Sequence, residues 1–216
     1  MNLPLRRARL AGNAGMTLIE VIVAISIMGI VATAAIGLSI TSQTSAAAQQ
    51  RQELAVTIAN QAMEQISAQA AGTNLITNKS YLFQGRTQSL VNASWSANAG
   101  AAGLADTYPG WDTAAVATST PVVPMSSTIR QSGTDYTTHT LIGTCYQATS
   151  GSGNCVRLAP APARPPATAP ASTTQLVRLI VIVRWTAGTG CAASGCSYQA
   201  TSFVDAHFDL QWKTNG

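Results

Sequence analysis

The stretch GMTLIEVIVAISIMGIVATAAIGLSI, residues 15–40, governs how this chain is built. After Glu20, residues 21–40 contain no charged side chain. A helix of that length, at 1.5 Å per residue, measures about 30 Å, which is the thickness of a hydrocarbon core. Three arginines at positions 6, 7 and 9 precede the run, so the positive-inside rule keeps the amino end in the cytoplasm. We therefore predict a single membrane-spanning helix followed by an exported part.

Glu20 is the unexpected residue, because it lies near the start of the apolar run. A carboxylate within a membrane span costs about 3 kcal/mol on insertion scales. The residues alone leave two interpretations open. Either the side chain reaches the headgroups at the cytoplasmic interface, or the charge has a function inside the membrane.

Gly15 followed by MTLIEV and a charge-free apolar run resembles the leader of type IV prepilins and type II secretion pseudopilins. In that family, a membrane-embedded peptidase cuts after the glycine and methylates the new amino terminus. The resemblance implies a cut between Gly15 and Met16, with methylation of Met16. Phenylalanine is commonest at the position of Met16, and this departure favours a minor subunit over a major one.

The resemblance also implies a function for Glu20. In filaments of this family the amino-terminal helices pack in a core away from water. There the glutamate of an incoming subunit can pair with the amino-terminal charge of a neighbour. A buried charge without a partner costs far more than a paired one. Glu20 is therefore expected to fix the register in which one subunit docks on the next.

The helix is expected to continue beyond the apolar run, to about residue 71. Apolar residues recur there at helical spacing, namely Leu54, Ala55, Ile58, Ala59, Ala62, Met63, Ile66 and Ala70. This stripe is typical of an amphipathic helix that packs on a sheet. The predicted division of the chain is a leader (1–15), an apolar helix (16–40), an amphipathic helix (41–71) and an exported domain (72–216).

The exported domain is predicted to be rich in β-structure from residue 135 onward. Residues 72–134 are expected to be mostly loop with short strands such as SYLFQ, residues 80–84. Strands are predicted in DYTTHTLIGTCYQA, QLVRLIVIVRWTAG, CSYQATSFVD and HFDLQWK, where apolar and polar residues alternate or β-formers predominate. The predicted fold class is α+β and pilin-like, with the long helix packed on an antiparallel sheet of about four strands.

The two faces of the segment 175–188 differ in character. Val177, Leu179, Val181, Val183 and Trp185 form one wholly apolar face, which is expected to lie on the helix. The other face carries Arg178 and Arg184 and is expected to meet solvent or a neighbour. Before this strand, residues 157–170 hold five of the nine prolines and are expected to form a stiff exposed loop.

The cysteines are predicted to form two disulfides. Cys145 and Cys155 enclose a Gly/Ser-rich segment, as do Cys191 and Cys196, so sequence proximity favours these pairs among the three possible pairings. Disulfides would place the domain in an oxidising compartment. Free buried thiols are the alternative that the residues leave open.

Composition argues against several classes of function. The chain has 12 basic and 8 acidic residues, but no basic patch follows residue 15, so nucleic-acid binding is not expected. Nucleophile-elbow, zinc-protease and phosphate-loop motifs do not occur. His139 and His207 each have aspartates nearby in sequence, yet a place on the surface or at a sheet edge is expected for both. We expect no enzymatic activity, no cofactor and no metal.

Three functions fit these features: a filament subunit, a module on such a filament that binds surfaces or DNA, and a domain held by a plain signal anchor. The leader favours the first, as a minor pilin or a pseudopilin. The implied partners are other pilin subunits, the prepilin peptidase, the inner-membrane assembly machinery and membrane lipid. The implied location is the cytoplasmic membrane, then an extracellular or periplasmic filament.

Overall fold

The computed structural model describes residues 17–70, 81–150, 154–158, 169–186, 191 and 195–205. Its elements, in chain order, are α1 (Leu18–Ala70), α2 (Gln88–Ala97), β1 (Tyr108–Pro109), β2 (Ser126–Gln131), β3 (Thr134–Ala148), β4 (Thr173–Trp185) and β5 (Cys196–Asp205). The chain divides into a first unit, residues 1–47, and a second unit, residues 48–216. Helix α1 crosses this division: residues 18–47 belong to the first unit and residues 48–70 to the second.

The first unit presents an apolar helix to its surroundings. Residues 17–46 are all exposed, and large apolar side chains such as Leu18, Met28 and Leu38 are 73–80% exposed. Among the described residues, α1 is the helix long and apolar enough to span a membrane, with a mean hydropathy of 2.5 over its most apolar window. A helix that is apolar on all sides requires an apolar environment, which lipid or neighbouring chains can supply.

The second unit is built on an antiparallel sheet, which confirms the predicted fold class. Strands β2, β3, β4 and β5 pair with their sequence neighbours, and β1 pairs with the carboxyl-terminal half of β3. The sheet thus has five described strands, one more than expected. The predicted strand HFDLQWK lies outside the described residues, as do residues 159–168 of the proline-rich loop.

One face of this sheet packs on the second part of α1, as predicted. Ala55, Ile58, Ala59 and Ile66 of the helix are buried in one cluster with Val177, Leu179, Val181, Val183 and Trp185 of β4. Leu54, Ala62 and Met63 pack against the same cluster. The i, i+4 spacing of the stripe keeps these side chains on one side of the helix, where they exclude water from the apolar face of β4.

Part of the opposite face of the sheet is also covered by the chain itself, so the expectation that this face would meet solvent or a neighbour was wrong for that part. Ile180 and Ile182 of β4 and Leu141 of β3 are buried in a second cluster with Leu104, and Trp95 of α2 packs against it. The two isoleucines were visible in the sequence, but two arginines on the same face made it look polar. Burial of both faces explains why β4 is almost continuously apolar.

The expectation of mostly loop before residue 135 was wrong for two segments. Residues 81–83, within the predicted strand SYLFQ, form a helical turn. Helix α2 follows, and the Thr87 side chain caps it by accepting a hydrogen bond from the Leu90 amide. Val91, buried completely, and Trp95 lie four residues apart on its inner side. The cap and this pair stabilise a helix whose residues have only moderate helix propensity.

Candidate assembly site

The first turn of α1 contains the two polar residues of the leader motif that the structure describes. The Thr17 hydroxyl oxygen accepts a hydrogen bond from the Glu20 amide at 3.4 Å. Thr17 therefore caps the helix, and Glu20 stands three residues later, which is the spacing of a capping box. A carboxylate in the first turn also interacts favourably with the helix dipole. The T-x-x-E spacing signals this function of Thr17, which had not been predicted from the sequence.

Three other hydroxyls of the helix donate hydrogen bonds within it. Ser26, Thr33 and Thr41 each donate to a backbone carbonyl three or four residues earlier, at 2.8–2.9 Å. These hydroxyls therefore need no partner from outside the helix when water is absent. Glu20 differs from them, because its carboxylate is exposed and its charge must be neutralised by something beyond the helix in an apolar environment.

Gly29 and Gly37 leave open space on the apolar helix. A Cβ atom added at either position would meet nothing within 4 Å. Neither glycine is therefore required by a contact that the structure describes. Small residues on a membrane helix let a neighbouring helix approach closely, so these positions suit packing against another chain.

The cysteines lie in the second unit and are joined in two disulfides. Cys145 of β3 is linked to Cys155 with a Cα–Cα distance of 5.4 Å, and Cys191 is linked to Cys196 with 4.9 Å. These are the pairs that sequence proximity favoured. Cys145 and Cys155 are both buried. Gly15 and Met16, the predicted processing residues, lie outside the described residues.

A buried arginine, which sequence reasoning assigned to solvent or a neighbour, organises the second face of the sheet. Arg178 is 5% exposed, and its guanidinium donates to the carbonyl of Gly103, to the Thr107 hydroxyl at 2.8 Å and to the carbonyl of Cys155 at 2.5 Å. Burial lowers the pKa of Arg178, and the negative charge of Asp106 opposes that shift. Arg178 thereby ties two loops to the sheet.

Gly103 is required by this arrangement. Its φ is +76°, a conformation that favours glycine, and an added Cβ would lie 2.7 Å from Nη1 of Arg178. In the sheet, Arg178 stands between Gly143 of β3 and Phe203 of β5, and its guanidinium lies over the Phe203 ring, 5.1 Å from the centroid. The guanidinium of Arg178 thus fills the space where a side chain at Gly103 would lie, and Gly143 is the residue paired with Arg178 in the neighbouring strand.

A second buried arginine has far fewer contacts. Arg86 is fully buried, and its Nη2 donates to the carbonyl of Val123 at 3.2 Å. Its Nε and Nη1 atoms have no hydrogen-bond partner. Burial lowers the pKa of Arg86 to about 10. Arg86 therefore remains charged at neutral pH in a site that compensates the charge poorly.

A metal ion bound by the described residues would need a group of suitable side chains. No group of three or more His, Cys, Asp or Glu side chains that could hold a metal occurs among them. Burial, with a smaller contribution from Arg184, lowers the pKa of His139. Asp135 is exposed and pairs with Arg130 at 3.5 Å across the β2–β3 hairpin. His207 lies outside the described residues.

Comparison with known proteins points to the amino-terminal segment. Residues 10–36 match the model of the prokaryotic N-terminal methylation motif. Neither the curated proteins nor the solved structures contain a match to this chain. The motif is that of a structural subunit and not of an enzyme family. The matched residues contain the Thr17–Glu20 turn, Gly29 and most of the exposed apolar surface of α1, and Gly37 lies one residue beyond them. The chain thus carries the prepilin signature of type IV pilins and pseudopilins, ahead of a long apolar helix and an antiparallel sheet.

Proposed function

We propose that this protein is a minor subunit of a type IV pilus-like filament. The observation that carries the proposal is the methylation motif on a helix whose residues 17–46 are exposed throughout. Before assembly, lipid covers this apolar surface, and the subunit is a single-pass protein of the cytoplasmic membrane. After assembly, the helices of neighbouring pilin subunits replace the lipid. Met16 in place of phenylalanine supports a minor subunit.

In this proposal the parts of the chain act in sequence. The prepilin peptidase removes residues 1–15 and methylates Met16, and the inner-membrane assembly machinery extracts the subunit. Residues 16–40 enter the filament core, residues 41–71 join that core to the domain, and residues 72–216 are exported. The two disulfides support export, because they require an oxidising compartment. Glu20 pairs with the amino terminus of a neighbouring subunit.

The mass of the amino terminus tests this proposal most directly. The full-length chain is expressed in a host that contains a prepilin peptidase, and the membrane fraction is analysed by mass spectrometry. We expect a chain that begins at Met16 and carries one methyl group. A Gly15→Val variant should retain Met1 and the leader. A wild-type chain that retains Met1 in the same host would contradict the proposal.

Localisation separates a pilus subunit from a secretion pseudopilin. Filaments sheared from the cell surface are probed for the protein, and secretion of exoproteins is measured in a deletion strain. We expect the protein in the sheared fraction and normal secretion. Absence from surface filaments, together with a loss of secretion, would assign the protein to the secretion system instead.

A further inference from the structure

A cleft opens on the face of the sheet that carries Arg178. Its volume is about 500 Å³, which falls in the range of roughly 300–1,000 Å³ that is typical of small-molecule sites. Strands β4 and β5 form its floor through Arg178, Thr201 and Phe203. Residues 102, 103 and 106 line it on one side, and residues 147, 154 and 155 line it on the other. All of its described lining residues belong to the second unit.

The floor of the cleft is held in place by buried contacts. Arg178 binds Gly103 and Thr107 on one side and Cys155 on the other, so both walls are attached to the same side chain. The disulfide from Cys155 to Cys145 anchors the second wall to β3. The cleft is therefore largely formed before any ligand arrives, which lowers the entropic cost of binding.

The charges of the cleft balance. Arg178 is the only basic residue among the described lining residues, and its Nε atom is buried without a hydrogen-bond partner. Asp106 is the only acidic one, and its charge favours the protonated form of Arg178. A cleft without net charge gives little attraction to a polyanion, because nucleic-acid affinity depends on exposed cations. An uncharged ligand suits this arrangement.

The rim combines hydrogen-bonding groups with an aromatic ring. The Asp106 carboxylate can accept hydrogen bonds, the Asn154 amide can donate and accept them, and Thr201 adds a hydroxyl. Phe203 is 47% exposed and presents apolar surface to the same cleft. A sugar ring has hydroxyl groups around its edge and C–H groups on its face, which matches this mixture. We propose that the cleft binds a neutral saccharide.

A glycan array probed with the detergent-solubilised full-length protein tests the proposal. The array carries neutral, amino-containing and acidic oligosaccharides, and hits are titrated by calorimetry. We expect binding to neutral glycans, weakened about tenfold or more by Phe203→Ala and by Asp106→Asn. Matched controls are Tyr81→Ala, which removes a ring that is 46% exposed elsewhere, and Glu64→Gln, which removes an exposed carboxylate of α1. Both controls should bind as the wild type does.

Three outcomes would overturn the proposal: no neutral glycan is bound, binding persists in both cleft variants, or the cleft binds single-stranded DNA or a peptide instead. Circular dichroism checks the fold of each variant. Asp106 is exposed, so Asp106→Asn remains a valid test even if Phe203→Ala does not fold. The result does not bear on filament assembly, which the amino-terminal mass tests separately.

Discussion

We expect Glu20 to have two physical functions, and one substitution can separate them. Its position three residues after Thr17 favours the start of the helix, and its charge requires a partner wherever the helix is surrounded by apolar groups. Glutamine can serve in a capping box as glutamate does, but it carries no charge. The register function therefore depends on the charge, and the capping function does not.

Glu20→Gln should leave processing intact and reduce incorporation into filaments about tenfold or more, because a neighbour's amino-terminal charge would then lack its partner. Incorporation is measured by immunoblotting of sheared filaments, and processing by the amino-terminal mass. Glu53→Gln, an exposed carboxylate on the same helix, is the control and should assemble normally. If the Glu20 variant were incorporated normally, Glu20 would not fix the register of subunit docking.

The two buried arginines are expected to respond in opposite ways to replacement by methionine. Arg178→Met removes the donor of two buried acceptors, the Thr107 hydroxyl and the Cys155 carbonyl, and one of two donors to the Gly103 carbonyl, so it should lower the free energy of unfolding by about 3 kcal/mol. Arg86→Met leaves one buried acceptor without its donor and removes a poorly compensated charge, so the variant should be neutral or about 1 kcal/mol more stable.

Urea unfolding of the full-length protein in detergent measures both changes. Arg184→Met is the control, because Arg184 is exposed and has one long hydrogen bond, at 3.4 Å, to the carbonyl of Ala97. Its effect should stay within about 0.5 kcal/mol. If the Arg86 variant lost as much stability as the Arg178 variant, our account of these two charges would be wrong.

Helix α1 combines two patterns that serve different surroundings. Its first part is apolar on every side, whereas residues 54–66 confine their apolar side chains to one stripe. The stripe was predictable because its spacing matches the helical period.

Strand β4 has one face whose packing was predicted from the local pattern and one face whose packing was not. Its wholly apolar face was correctly assigned to the helix, but Trp95 of α2 and Leu104 pack on the isoleucines of the mixed face, and no local pattern in β4 signals these distant residues.

Two isoleucines of α1 provide a matched test of this division. Ile58 is 6% exposed, and Ile58→Ala should lower the free energy of unfolding of the second unit by about 3 kcal/mol through the cavity it leaves. Ile36 is 60% exposed, and Ile36→Ala should leave that stability unchanged. Urea unfolding monitored by tryptophan fluorescence measures both. Equal effects would show that the stripe does not pack on the sheet.

The second unit as a whole depends on long-range links between loops and the sheet. Both loops that carry cysteines are closed by a disulfide, and the longer loop also supplies the carbonyl that Arg178 binds. The two disulfides stabilise the folded domain by restricting the unfolded chain, and the chain has few charged residues that could form ion pairs instead.

Removing the disulfides should destabilise the second unit unequally. Cys145→Ser with Cys155→Ser should cost about 3 kcal/mol, and Cys191→Ser with Cys196→Ser about 2 kcal/mol, because the second pair closes a shorter loop. Thermal unfolding of the full-length protein in detergent measures both. Peptide mapping without reductant should recover the pairs Cys145–Cys155 and Cys191–Cys196. A peptide that links Cys145 to Cys191 or Cys196 would contradict this pairing.

Local patterns were sufficient to predict the apolar helix, the amphipathic stripe and three long strands, because their periods are properties of consecutive residues. The leader motif was likewise recognisable from the sequence, because it consists of consecutive residues, 15–20. Tertiary contacts created the rest: Trp95 of α2 packing on part of the second face of the sheet, Arg178 becoming buried between two loops, and the cleft beside Phe203. These features join residues up to about 100 positions apart, such as Ala102 and Gln199. Their stability comes from burial and hydrogen bonds that exist only after folding, and a linear sequence does not display such contacts.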